Sequence, residues 1–361
     1  MALFKKKPVS ARASAAATGQ PRSVPIPKLR GDERALAFEA QLARGQWQEF
    51  HDFLAATASP GMRGFYLTQL SAISGRPQWL DEWVAARPES ALPLLFRGLH
   101  SRHWAWEARG SGRAHTVKED AWPLFHARLV EADRDLAAAA ALDDRDPVSA
   151  AESLPVAMGL SLGQVEVRRR FDEAYRRYPL NGGACVNMIH ATARKWGGSH
   201  EAMFEFARWA SGQAPDGHPV HKVVALAHIE MWLDSAKGEA QQGYFRSQAV
   251  KDEVMAAAQR SILSPNYAPE GIPLSWADRG VFAFCFRLMR EYAAQLDQMR
   301  LIGPYVVAFP WSYQGKAGVK YEAHRQHAFK ELYGVVGPPW EAFLASAGWN
   351  PAALSGGQET E

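Results

Sequence analysis

Apolar residues recur at intervals of three and four from about position 32 almost to the end of the chain, the period of helices packed along one face. The clearest run is Trp122, Phe125, Leu129, Ala132, Leu136 and Ala139, which fall on one stripe of an α-helix. A helix pair is predicted over 32–44 and 46–57 with its turn at Gly45, and another over 61–73 and 77–87, where Pro77 suits a first helical turn. Ser90 reads as the N-cap of a helix carrying Leu94, Phe96 and Leu99. Thr116 and Glu119 read as a capping box, and Asp146 before Pro147 as a cap followed by a first turn. Further helices are expected at about 147–160, 164–178, 182–195, 200–211, 219–235, 245–263, 276–300, 319–333 and 339–346. In the 276–300 segment Cys285, Leu288, Met289, Tyr292, Leu296 and Met299 share a face. The strand-like run from Tyr305 to Phe309 has no second run to pair with, so it builds no sheet.

Short helices divided by Gly and Pro invite a search for a repeat. Pro147, Pro179 and Pro215 are spaced by 32 and then 36 residues, which brackets the about 34-residue tetratricopeptide unit, a helix pair closed by a proline. Small-residue turns, Gly159 to Gly163 and Gly197-Gly198, divide the helices of successive pairs. No unit carries the full consensus. The fold class expected is all-α, a helix-pair α-solenoid of tetratricopeptide type over residues 31–350.

Composition adds boundaries. The chain of 361 residues is 47% hydrophobic and 22% charged, a soluble globular balance that excludes collagen-like and wholly disordered classes. No apolar run reaches the roughly 20 residues a membrane span requires. Residues 1–30 hold seven Lys/Arg and no acid, leaving 34 basic against 38 acidic residues in the remainder. Residues 1–30 are therefore expected to be a basic disordered arm, and 351–361 a disordered tail. A mildly acidic body is a poor match for nucleic acid, so no nucleic-acid partner is expected. Leu3, Phe4 and Lys5 to Lys7 would allow weak peripheral membrane contact through residues 1–7. The basic start lacks the apolar stretch of a secretory signal. Cys185 and Cys285 lie in apolar stretches, and no CxxC occurs; two buried reduced thiols in a cytoplasmic protein are expected.

Three stretches are distinctive: Trp104-Ala105-Trp106-Glu107-Ala108-Arg109-Gly110, Leu142-Asp143-Asp144-Arg145-Asp146-Pro147, and the run from Lys195-Trp196-Gly197-Gly198-Ser199-His200 through Arg208. Together they resemble a bacterial family of tetratricopeptide-like helical proteins whose function is not defined, over about residues 90–235. The resemblance implies an α-solenoid and brings no catalytic residues.

Candidate chemistry is sparse. His100/His103, His218/His221 and His324/His327 are H-x-x-H pairs that could each offer two nitrogens on one helix face. No further ligand stands near them in sequence, so no metal site is assigned. His228-Ile229-Glu230 lacks the second half of the deaminase signature. Residues i and i+2 point to opposite sides of a helix, so each needs its own polar partner. Gly159-Leu160-Ser161-Leu162-Gly163 fits G-x-S-x-G literally, but helix flanks it on both sides and a nucleophile elbow needs a strand before it. In Trp196-Gly197-Gly198-Ser199-His200, Ser199 can cap the following helix, whose N-terminus favours anions.

Thirteen tryptophans are many for this length. Most will space helix layers, yet Trp and Arg are also the residues enriched at interaction hot spots. Trp104, Trp106, Arg109, Trp196, Ser199, His200, Arg208, His228 and Glu230 are therefore the partner-binding candidates, with no catalytic residue and no cofactor assigned. The function expected is a non-catalytic cytoplasmic adaptor holding a protein or peptide on a concave helical face. The alternative is an enzyme or small-ligand binder with a polar pocket near Arg109, Trp196 and His228.

Overall fold

The computed structural model describes residues 23–110, 116–334 and 338–349, and among them the secondary structure is helical with no strand. α1 (Glu33–Leu42), α2 (Gln48–Ala56), α3 (Pro60–Leu70) and α4 (Trp79–Ala86) precede two long helices, α5 (Ala91–Arg109) and α6 (Ala121–Leu142). The middle of the chain is α7 (Pro147–Gly159), α8 (Gln164–Arg177), α9 (Gly182–Thr192), α10 (His200–Gln213) and α11 (Lys222–Asp234). α12 (Glu239–Tyr244), α13 (Gln248–Gln259), α14 (Ile272–Met289), α15 (Tyr292–Ile302), α16 (Ala317–Tyr333) and α17 (Pro338–Ser346) follow.

Local chemistry starts many of these helices. Asp32 accepts from Ala35 N–H at 2.7 Å, Asp146 from Val148 N–H at 2.8 Å and Asn181 from Ala184 N–H at 2.8 Å. Ser90 and Ser199 cap α5 and α10 in the same way. Each such cap satisfies an amide that the helix cannot, contributing about 1 kcal/mol. The predicted stripe of α6 is realised: Phe125, Leu129, Ala132, Leu136 and Ala139 are buried and face α5, which packs along it.

Packing then runs in series. α6 lies on α7, α7 on α8 and α9, α9 on α10 and α11, α11 on α13 and α14, and α14 through α15 to α16. α7 divides the interior. Its Val148 and Val156 belong to a core built on Phe50, Trp83 and Phe96, while Ala150, Ala151, Leu154 and Ala157 belong to a second core running to Trp349. Each fully buried aromatic or aliphatic side chain contributes roughly 1.5–3 kcal/mol.

The start of the described chain closes onto its end. Val24 is buried in the second core, and its amide donates to the Gly318 carbonyl at 3.3 Å. A Cβ at Gly318 would come within 2.1 Å of the Val24 carbonyl oxygen, so only glycine permits this approach. Leu29 (φ 49°), Arg30 (φ 55°) and Gly31 (φ 70°) then form a left-handed turn. That geometry costs non-glycine residues roughly 1–2 kcal/mol each. Burial of Leu29 and the bond from Arg30 Nη1 to the Pro273 carbonyl, 2.8 Å, offset it.

Several expectations are corrected. The basic arm was expected to reach residue 30, but 23–30 pack on the body; 1–22 and 350–361 lie outside the described residues. The helix expected at 276–300 is two, because Arg290 turns left-handed at φ 64° and ends α14. The 245–263 helix is likewise shorter: α13 starts at Gln248 after α12 has ended. Thr116 and Glu119 do not cap α6, whose N-cap is Asp120. Pro77 precedes α4 rather than opening it, and α5 continues past Leu99 to carry Trp104, Trp106 and Arg109.

Candidate functional site

A cavity of about 580 Å³ opens between the C-terminal end of α5, the turn joining α9 to α10, and the second half of α11. The turn is shaped by its glycines. Gly197 stands at φ 83°, and a Cβ at Gly198 would fall 1.9 Å from the Thr192 carbonyl oxygen. Gln164 Nε2 pins the turn from α8, donating to the Ala191 carbonyl at 2.9 Å and to the Trp196 carbonyl at 3.1 Å. Ser199 then accepts from Ala202 N–H at 3.1 Å and starts α10. The outcome is that Lys195 and Trp196 project over the end of α11.

Two indoles form one wall. Trp106 and Trp196 meet edge to face with centroids 5.9 Å apart. The Arg109 guanidinium lies 5.1 Å from the Trp106 ring and 5.3 Å from that of Trp122, a cation–π arrangement that fixes its position at the rim. Met203 and Leu233 add apolar lining.

The floor is charged. Glu230 is 5% exposed. Its Oε1 is 3.0 Å from His190 Nδ1 and accepts from the Tyr313 hydroxyl at 3.4 Å; its Oε2 accepts from Lys195 Nζ at 2.7 Å. Burial opposes ionisation of this carboxyl, but hydrogen bonds and charge from His190 and Lys195 outweigh it and hold the carboxyl down at about 2. Asp234 sits higher, 3.0 Å from His200 Nε2 and 3.5 Å from Arg194 Nε. Arg109, Arg194 and Lys195 thus stand against Glu230 and Asp234, a balance of one positive charge before the histidines are counted.

Of the sequence candidates, Trp106, Arg109, Trp196, His200 and Glu230 line this cavity, and Ser199 supports it as a helix cap. Trp104 does not. It carries the Arg128 guanidinium 3.4 Å above its ring and stacks on His100. His228 also points elsewhere, as its spacing from Glu230 requires. Its Nδ1 is 2.8 Å from the Tyr244 hydroxyl and its Nε2 3.2 Å from Glu253, which also pairs with Arg208 at 2.7 Å. Hydrogen bonds from His228 and Arg208 hold Glu253 down at about 2.

His190, Arg194, Lys195, Asp234 and Tyr313 were not among the sequence candidates. Lys195 is legible in retrospect as the residue before Trp196. Tyr313 is 83 residues from the carboxylate it meets, and no local pattern joins them. The histidine pairs serve structure. His100 Nδ1 is 3.2 Å from the Ser71 carbonyl and His103 Nε2 3.0 Å from that of Thr68, and burial pushes the His103 imidazole down to about 3. Among the described residues no group of three or more His, Cys, Asp or Glu is placed to hold a metal ion, and no helix is long and apolar enough to cross a membrane.

Among the described residues, fold and cavity define a helical protein with an indole-walled pocket over a buried carboxylate. Residues 62–164 match the family model described as a domain of unknown function, DUF4034. That match spans α3 to α7 and the Trp106 and Arg109 side of the pocket, leaving the α9–α11 side beyond it. No curated protein matches the chain.

Proposed function

We propose that this protein is a non-catalytic binding protein, a helix-pair solenoid of tetratricopeptide type acting as a cytoplasmic adaptor, whose protein or peptide partner is anchored in the Trp106–Trp196 pocket. The solenoid reading is supported by the packing in series of α7, α9 and α11, with α8 and α10 each laid between neighbours. The binding reading rests on one observation: half-buried indole and guanidinium groups lining a cavity over a carboxylate that is already neutralised. A general base works best with a pKa near the operating pH. Glu230, held at about 2, suits a fixed charge that positions Lys195 and His190 rather than a proton acceptor.

The test is affinity capture with folded full-length protein, comparing wild type, Trp196→Ala, Arg109→Ala and, outside the pocket, Arg208→Ala. A partner kept by wild type and Arg208→Ala but lost by both pocket variants supports the reading. Equal retention by folded Trp196→Ala defeats it. The volume of the cavity and the convergence of His190, Lys195, Glu230 and Tyr313 favour a second reading, a compact organic ligand held by the same walls. Native mass spectrometry of the purified chain separates the two, since a compact ligand adds mass without a second polypeptide.

A further inference from the structure

A second cavity, about 200 Å³, lies apart from the indole-walled pocket, where α3, α7 and α14 meet the left-handed turn at residues 28–31. Five charged side chains line it, and one of them, Glu152, is already paired with Arg102 at 2.9 Å. Lys222 and Asp278 satisfy each other at 2.5 Å, and the Tyr267 hydroxyl donates to the other Asp278 oxygen at 2.8 Å. Arg30 and Glu270 are different. Among the described residues neither makes an ion pair within 4.0 Å, with each other or with any other group. Arg30 has the Pro273 carbonyl and the face of Phe65, 5.2 Å away. The Glu270 carboxyl lies against the backbone of Gly61, where a Cβ would come within 1.6 Å of Oε2.

Two half-buried charges of opposite sign therefore line one small space without pairing. Burial pushes the Glu270 carboxyl up and the Arg30 guanidinium down, the response of charges short of partners. Arg30 is delivered there by a backbone that L-residues disfavour, φ 55° following φ 49° at Leu29. Strain of this kind persists where the surroundings over-determine a position, and such positions cluster at ligand sites. A lone anion would be repelled by Glu270 and Asp278, and a lone cation by Arg30 and Lys222. A molecule with both signs a short distance apart relieves both charges at once.

We propose that this cavity binds a small zwitterion of the α-amino-acid class, with its ammonium group on Glu270 and its carboxylate on Arg30. The inference is independent of the adaptor reading, because the residues and the cavity are different.

The experiment is thermal denaturation of the full-length protein with each of the twenty amino acids separately. The two half-molecules, n-butylamine and butyrate, are run alongside. At least one amino acid is expected to raise the midpoint by about 2 °C or more at saturation, while neither half-molecule does so. Calorimetric affinity for that amino acid should fall at least tenfold in Glu270→Gln and in Arg30→Gln and remain unchanged in Trp196→Ala. Should the two variants fail to fold, the wild type still decides: the N-acetyl derivative and the methyl ester of the same amino acid, each lacking one charge, should bind at least tenfold more weakly. No shift with any of the twenty, or equal binding of the singly charged derivatives, overturns the proposal.

Discussion

Lys195 Nζ lies 2.7 Å from Glu230 Oε2, joining the turn after α9 to the second half of α11. The pair is asymmetric: the Glu230 side chain is 4% exposed and that of Lys195 47%. The lysine reaches in from solvent, while the carboxylate has no alternative to its protein partners.

That asymmetry makes Glu230 a stability group with a definite pH signature. Its folded carboxyl is held at about 2 against the usual 4.5, so its contribution is present above pH 4.5 and is lost as the pH falls toward 2. Glu230→Gln should destabilise by about 1–3 kcal/mol at pH 7. Urea titrations at several pH values should show the gap between wild type and variant narrowing steadily below pH 4.5. A gap that does not change with pH would contradict this account.

The adjacent turn separates two glycines that look alike in sequence. At Gly197 (φ 83°) a Cβ meets nothing within 4 Å, so Gly197→Ala should cost only the left-handed penalty, about 1–2 kcal/mol. At Gly198 the Cβ would strike the Thr192 carbonyl, and backbone cannot rotate away as a side chain can. Gly198→Ala should therefore be the more damaging, by about 2 kcal/mol or more beyond Gly197→Ala. Chemical denaturation of the two variants gives the order directly, and the reverse order refutes it.

His228 predicts a contrast on the other side of α11. Its ring is buried between Tyr244 and Glu253, while Arg208, on the same Glu253, is exposed. His228→Ala opens a void and strands two polar groups, for a loss of roughly 2–4 kcal/mol. Arg208→Ala removes a solvent-screened pair worth at most about 1 kcal/mol. Equal destabilisation of the two variants would show that His228 is not the structural member of the group.

Burial pushes the Cys185 thiol up to about 12 and raises that of Cys285 as well. Nucleophilic thiolate is therefore scarce at neutral pH and access is closed. Ellman's reagent should leave both thiols untouched in native protein and modify both in denaturant; rapid labelling of the native fold would falsify the placement of that cysteine.

Legibility followed the range of the determining interaction. Asp146 with Pro147, Ser90, Ser199 and the Trp122–Ala139 stripe could be read because caps and helical faces are set within one or two turns. The break at Arg290 was missed because Leu288, Met289 and Tyr292 keep helical spacing across it while the backbone itself turns left-handed. In the pocket, Trp106, Arg109, Trp196, His200 and Glu230 could be proposed from residue type and distinctive local sequence. Their convergence could not, and neither could His190 or Tyr313, because packing between α9, α11 and the segment after α15 brings those residues together.

The closure of the first described residues onto α14 and α16 has a consequence in time. Arg30 finds its carbonyl partner 243 residues later, at Pro273. During synthesis Leu29 and Arg30 can settle early against the first core and the Phe65 ring, but the Val24 amide and the Arg30 guanidinium lack their carbonyl partners, Gly318 and Pro273, until the last quarter of the chain exists. The entropy of closing so long a loop grows only logarithmically with its length, so the finished contact is sustainable, but its formation is late. The bonds from Val24 and Arg30 to the later helices are then completed last, and a ribosome-bound chain ending before α14 would present the small cavity with Arg30 in place over Phe65 and the Leu274 and Asp278 wall still missing.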